Sequence, residues 1–189
     1  MSKPPRRRLP PEVRKQEILE AAERLLQAHG DQVRVEDVVR AAGVAKGTFF
    51  VYFPTWDDLL ETVRNRLVAE FEAAYPASAP GQAVDWPARL DRLAAAYIDF
   101  AAAKQGIGQA LFHSDFTERR PLADNAVSRL SAMIRAGQAA GAFGPVDAEP
   151  TARLLFAAID EAPRAVAAGA PRDPILAALQ QMIRRTLAP

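Results

Sequence analysis

Between Arg34 and Pro54 the chain reads RVEDVVRAAGVAKGTFFVYFP, and this run limits the possible folds more sharply than any other. Two short helices are predicted, one from about Val35 to Ala42 and one from about Lys46 to Phe53. Gly43 joins them, because a tight turn between helices asks for a residue that tolerates positive φ. Pro54 then stops the second helix. Ala41, Ala42 and Val44 are small enough for the two helices to pack closely. Phe49 and Phe53, four apart, fall on one helical face and can turn inward. In a helix-turn-helix the first helix braces across a DNA backbone and the second enters the major groove by its amino-terminal end. In that geometry Lys46 reaches a base edge or a phosphate, and Gly47 lets the backbone approach closely. Thr48 donates to phosphate or touches a thymine methyl, and Tyr52 offers its hydroxyl to phosphate. Two ordinary core helices with a glycine cap share this spacing, so spacing alone leaves both readings open.

The flanks are helical as well. Ile18, Leu19, Ala22, Leu25 and Leu26 mark one face of a helix from Pro11 to Ala28, and Gly30 stands where it should end. Thr55 and Asp58 have the spacing of a capping box for a fourth helix, whose apolar stripe is Leu59, Leu60, Val63, Leu67 and Phe71. PASAPG, residues 76–81, reads as a loop. Asp85 opens a fifth helix that reaches about Lys104. Gly106 and Gly108 are expected to interrupt the chain before a short helical piece through Phe112. Pro121 is expected to start a long helix ending near Ala140. Asp147 caps an eighth helix with Pro163 inside it, and Asp173 and Pro174 read as cap and first turn of the last helix. The expected fold is therefore all-α with about nine helices. It divides into a basic arm (1–10), a helix-turn-helix domain (11–54), a connector helix (55–75) and a larger helical domain (76–189).

Residues 14–71 resemble the amino-terminal domain of the tetracycline-repressor (TetR) family of bacterial regulators. The resemblance rests on RKQEILEAAERLLQAHG, VEDVVRAAGVAKGTFFVYFP and the following WDDLLETV, which agree in order and spacing. It implies a three-helix DNA-binding domain, a long fourth helix, and a helical carboxy-terminal domain that dimerises and binds an inducing small molecule. Carried over by position, Ala45 to Phe53 is the recognition helix, with Lys46, Gly47 and Thr48 facing the groove. The chain departs from the family at four places. Phe50 stands where a phosphate-bonding tyrosine is common, Tyr52 where histidine is frequent, and Trp56 where lysine is frequent. Arg34 replaces a common capping threonine, which weakens the cap and offers a phosphate contact in exchange.

Charge supports a polyanion partner. Residues 1–53 carry 10 Lys/Arg against 7 Asp/Glu, although the whole chain has a net charge of only +1. Arg6, Arg7 and Arg8, with Lys3, form a proline-spaced arm suited to phosphates or a minor groove. A solubilising tail is the plainer reading of the same arm. No apolar run follows the arm, so it is not read as a secretory signal, and no stretch is long and apolar enough for a membrane span. There are no cysteines, which removes disulfide and thiol chemistry.

The carboxy-terminal half carries no recognisable motif. Trp86, Tyr97, Phe100, Phe112, Phe116 and Phe156, with His113 and Asp160, are candidates to line an effector pocket. Taken singly, each aromatic is better explained by core packing. Asp160 and Glu161 interrupt an apolar run, either as an Asp160–Arg164 pair on the surface or as polar groups facing a ligand or a dimer seam. Ile159, Val166, Ile175, Leu176, Leu179, Met182 and Ile183 are candidates for a four-helix dimer interface, and packing within the chain accounts for the same stripe. The expected function is a cytoplasmic, dimeric repressor that binds a double-stranded DNA operator of palindromic form. A largely apolar small molecule would release it, with no cofactor, metal or catalysis. The alternatives are a helical dimer acting through protein contacts, and an enzyme using His113 with Asp160 or Glu161, for which no catalytic spacing exists.

Overall fold

A computed structural model describes residues 10–75, 84–121 and 126–189. The arm residues Arg6, Arg7 and Arg8, the PASAPG loop and residues 122–125 of the segment after Pro121 lie outside the described residues. Among those described there are ten α-helices and no strand. None of the helices is long and apolar enough to cross a membrane.

By packing, the chain divides into two compact units, one of residues 1–69 with 105–121, the other of 70–104 with 122–189. The first holds α1 (Pro11–His29), a 3₁₀ turn (Gly30–Gln32), α2 (Val35–Ala41), α3 (Lys46–Tyr52), the start of α4 (Trp56–Ala74), α6 (Gln105–Phe112) and α7 (Asp115–Arg119). The sequence division keeps residues 105–121 with the carboxy-terminal domain, whereas packing groups them with the amino-terminal helices.

Local chemistry accounts for most boundaries in this unit. Gly30 ends α1 at φ +58°, and Gly43 turns the chain after α2 at φ +64°. Thr55 and Asp58 form a reciprocal capping box at the start of α4, each side chain accepting from the other's backbone N–H at 3.1 and 2.9 Å. Gly106 and Gly108 do not break the chain; both lie inside α6. The reason at Gly106 is close packing. A Cβ there would stand 2.1 Å from the carbonyl oxygen of Gln27, so α6 meets the last turn of α1 backbone against backbone. α7 went unseen in the sequence; the Ser114 hydroxyl starts it by accepting from the Phe116 N–H at 3.3 Å.

The second unit holds the end of α4 with α5 (Trp86–Ala103), α8 (Ala126–Ala139), α9 (Ala148–Ala167) and α10 (Arg172–Thr186). Leu90, Ala94, Ile98, Leu130, Ile134, Ala152, Leu155, Ile159, Leu179 and Ile183 form its buried core. Asp85 caps α5 as expected, accepting from the Ala88 N–H at 3.0 Å. The last helix begins earlier than the sequence suggests. Pro171 is its N-cap, which places Asp173 and Pro174 within the first turn rather than at the cap. α9 runs through Pro163, whose side chain is buried.

Candidate nucleic-acid interface

The α2–turn–α3 hairpin is pinned from inside. Val38 and Phe49 are fully buried and Phe53 nearly so. The two phenylalanine rings lie 5.7 Å apart, and the Lys15 ammonium stands 5.8 Å from the Phe53 ring. After α2 the N–H groups of Ala42, Gly43 and Val44 bond back to the carbonyls of Val38, Arg40 and Val39 at 2.8, 3.2 and 3.0 Å, which closes the turn.

Arg34 precedes α2 and supplies half a cap. Its N–H donates to the Asp37 carboxylate at 3.1 Å, but arginine has no acceptor to return the bond. Its guanidinium folds back instead, donating from Nη1 to the carbonyls of Asp31 and Val33 at 2.5 and 3.0 Å. The carbonyl-rich end of the 3₁₀ turn thus engages the charge that the sequence offered to phosphate.

Ala45, Lys46 and Gly47 form an exposed entry to α3. Lys46 donates through Nζ to Glu36 Oε1 at 2.6 Å, tying α3 to the first turn of α2. That bond, more than the charge itself, holds the Glu36 carboxyl below the usual carboxylate range. Both partners are more than half exposed, so the pair is a weak constraint that a competing phosphate can exchange. Gly47 has no positive φ, and a Cβ there would meet nothing within 4 Å. Thr48 and Tyr52 are half-buried. Phe50 is 40% exposed and stands edge-on to Phe49 at 5.2 Å. Trp56, half-buried, is the first residue of α4.

Carboxylates follow Trp56 at once, and two arginines at the end of α7 neutralise them. Arg119 forms a two-pronged pair with Asp57 at 2.9 and 3.0 Å. Arg120 bonds to Asp58 at 3.1 Å and to Glu61 at 2.9 Å. The Arg119 bond is the main cause that holds the Asp57 carboxyl low. Beneath these pairs lies Arg64, only 1% exposed. Its guanidinium stacks 4.7 Å from the Phe116 ring centroid and donates from Nη1 to the Arg120 carbonyl at 2.6 Å, while Nε has no hydrogen-bond partner. Burial pulls its pKa down, and Glu61 opposes that shift.

Sequence reasoning missed four groups in this unit: the three arginines just named and Val51, which is 77% exposed on α3. Val51 was legible, since it lies four residues after Gly47. The arginine links were not, because their partners lie more than fifty residues away.

The effector candidates do not form one set. Phe112, His113 and Phe116 belong to the first unit, where Phe116 is 1% exposed and serves as the stacking surface for Arg64. Trp86, Tyr97, Phe100, Phe156 and Asp160 belong to the second. There Tyr97 donates to Asp160 at 2.9 Å and lies 6.3 Å from Phe156. Phe71 bridges Tyr97 and Phe100 at 6.0 and 5.1 Å. Burial first, and Asp160 second, push the Tyr97 phenol upward, so it stays protonated. Asp160 also pairs with Arg164 at 3.1 Å, the partner four residues on within the same helix.

Two concavities in this unit involve other residues. An open groove on α10 is lined by Ala177, Ala178, Gln181, Arg184, Arg185 and Ala188. A cavity of about 60 Å³ lies among Pro87, Leu90, Ala142, Phe143, Ile183 and Leu187. Of the dimer-stripe candidates, Ile159, Leu179 and Ile183 are 8, 5 and 2% exposed and pack in the core of their own chain. Val166, Ile175 and Leu176 are partly buried against the same core, and Met182 is 39% exposed.

Residues 18–63 match the family of bacterial regulatory proteins of the tetR type. Over 72 residues the chain is 38% identical to the HTH-type transcriptional regulator LuxR of Vibrio harveyi, a match spanning 38% of this chain and 35% of that relative. A crystal structure of a tetR family transcription regulator from Shewanella sp. PV-4 superposes with TM-score 0.73 at 26% identity, covering 92% of this chain and 97% of the other. A TetR-family regulator from Rhodococcus sp. shares the fold with TM-score 0.74 at 24% identity over 94% of this chain and all of its own. The helix-turn-helix of α2 and α3 and the matched segment around it converge: residues 18–63 are a segment of the tetR family type, and along nearly its whole length the chain shares the fold of tetR family transcription regulators.

Proposed function

We propose that this chain is a dimeric repressor that sets α3 of each subunit into the major groove of a palindromic operator and leaves it when a small molecule binds. Gly47 is the observation that carries the DNA contact. Its backbone is ordinary, its surroundings are open, and a helical glycine costs roughly 1 kcal/mol against alanine. Nothing among the described residues accounts for that cost, whereas a phosphate backbone lying against the helix does. Ala45, Lys46, Thr48, Tyr52 and Trp56 flank it as contacts to DNA, with Phe50 and Arg34 at the margins and Arg6, Arg7 and Arg8 adding charge from the arm.

Dimerisation is assigned to the outward faces of α9 and α10, where Leu154 is 74% and Met182 39% exposed. The effector is assigned to the carboxy-terminal helices, near the convergence of Tyr97, Phe100, Phe156 and Asp160, and is largely apolar. It acts by binding better to one spacing of the two recognition helices than to the other. Such a protein works in the cytoplasm, where its operator is, and without chemistry of its own.

The test is a titration of a duplex carrying the gene's upstream region, by fluorescence anisotropy at several salt concentrations, with the whole chain and with Gly47→Ala. Wild type should prefer this duplex over random DNA and lose affinity steeply with salt. Gly47→Ala should fold at least as stably and bind at least about tenfold more weakly, since a methyl group would be wedged against the DNA. Equal affinity for both duplexes at every salt concentration sinks the repressor reading. Unchanged binding by Gly47→Ala sinks the assigned contact.

A further inference from the structure

We propose that Val51 reads a thymine in each half-site through its 5-methyl group, so that this regulator recognises sequence partly by an apolar contact. The inference rests on the DNA-binding reading above and names what that interface selects. α3 has few groups with which to form a hydrogen-bonded base contact. Its one charged residue, Lys46, pairs with Glu36 at 2.6 Å in an exposed bond that a phosphate can exchange, and its two hydroxyl residues, Thr48 and Tyr52, are half-buried. Phe49 and Phe53 fix the inward face, which leaves Gly47 and Val51 opposite them, one turn apart.

Val51 is 77% exposed, and Phe50 beside it is 40% exposed, which makes a strip of apolar surface on the side where Gly47 leaves room for DNA. A β-branched side chain gains no helix propensity at an exposed position, and at 77% exposure it gains little from burial within the chain. Among the base edges of the major groove only thymine presents an apolar group, its C5 methyl. An exposed valine continuous with the helix entry therefore matches thymine and offers nothing to the donors and acceptors of the other bases.

The experiment selects duplexes from a random pool with the full chain, then replaces each thymine of the selected sequence in turn with deoxyuridine, which lacks only the methyl. Affinities are measured for wild type and Val51→Ala, with circular dichroism to check that the variant folds. One position per half-site should weaken wild-type binding about fourfold on losing its methyl, the worth of one buried methyl-sized group. Val51→Ala should be indifferent to that same replacement. The proposal fails if a sequence is selected yet no deoxyuridine replacement weakens wild type, or if Val51→Ala remains as sensitive as wild type. A pool that enriches no sequence overturns the DNA-binding reading and this proposal with it.

Discussion

Gly106→Ala tests whether the contact between α6 and α1 is as close as described. The added Cβ would stand 2.1 Å from the Gln27 carbonyl oxygen, 2.8 Å from its carbon and 3.0 Å from the Leu26 carbonyl oxygen. All three are backbone atoms of one helical turn, so no rotamer change relieves the clash. One helix must move by about 1 Å to restore ordinary contact, and overpacking of this kind costs about 1–3 kcal/mol. The backbone location puts the cost near the upper end of that range. Alanine's better helix propensity returns up to about 1 kcal/mol, so the net loss is about 2 kcal/mol. For a chain of this size that lowers the melting temperature by about 4–8 °C. Gly108→Ala is the matched control, two residues along the same helix with nothing within 4 Å of its Cβ. It should raise the melting temperature by about 2–4 °C. The chain has two tryptophans, Trp56 in the unit tested and Trp86 in the other. In a Trp86→Phe background, Trp56 fluorescence during heating therefore reports the relevant unit. If Gly106→Ala melts at or above its parent, the backbone contact between α1 and α6 is not as described.

The same reporter serves three further variants. Arg64→Ala removes a buried side chain that stacks on Phe116 and leaves the Arg120 carbonyl without its donor; a loss of about 3 kcal/mol is expected. Arg64→Met should recover more than half of it, because it keeps the volume and buries no charge; a loss under about 1 kcal/mol for Arg64→Ala would refute the role of this residue as a packed strut. Asp57 has a folded-state pKa below its unfolded one, chiefly through its bond to Arg119. Its contribution is therefore fully present above the unfolded value of about 3.9 and is lost as pH falls through the folded value. The difference in urea midpoint between wild type and Asp57→Asn should be constant from pH 6 to about pH 5 and shrink below about pH 4; a difference that persists unchanged at pH 3 would count against the Arg119 bond.

What could be read from the sequence was what neighbours decide. The stop at Gly30, the turn at Gly43, the Thr55–Asp58 cap and the Asp85 cap each depend on residues within one turn of chain, and each stands where local chemistry puts it. The start of α10 failed the same logic. Asp173 and Pro174 make a respectable cap and first turn, but Arg172 reaches Asp99 through two bonds at 2.6 and 2.7 Å and belongs to the helix. Gly106 failed for a related reason. Glycine in a helix weakens it locally, and only the backbone of Gln27 lying against it explains why glycine stands inside this helix.

The candidate interface divides along the same line. The inward face of α3 followed from the spacing of Phe49 and Phe53, and the outward face follows from it by subtraction: on a helix, residues midway between two buried positions point away from the core. Gly47 and Val51 were therefore available to sequence reasoning, yet only the first was taken up, because glycine carries a recognisable meaning at a helix entry and valine does not. Arg34 shows the opposite case. Its charge was legible, but its use was not, since the carbonyls of Asp31 and Val33 engage the guanidinium before any phosphate can. Residue type states what a side chain can bond; the fold decides whether that capacity is still free, and on α3 what remains free is largely apolar.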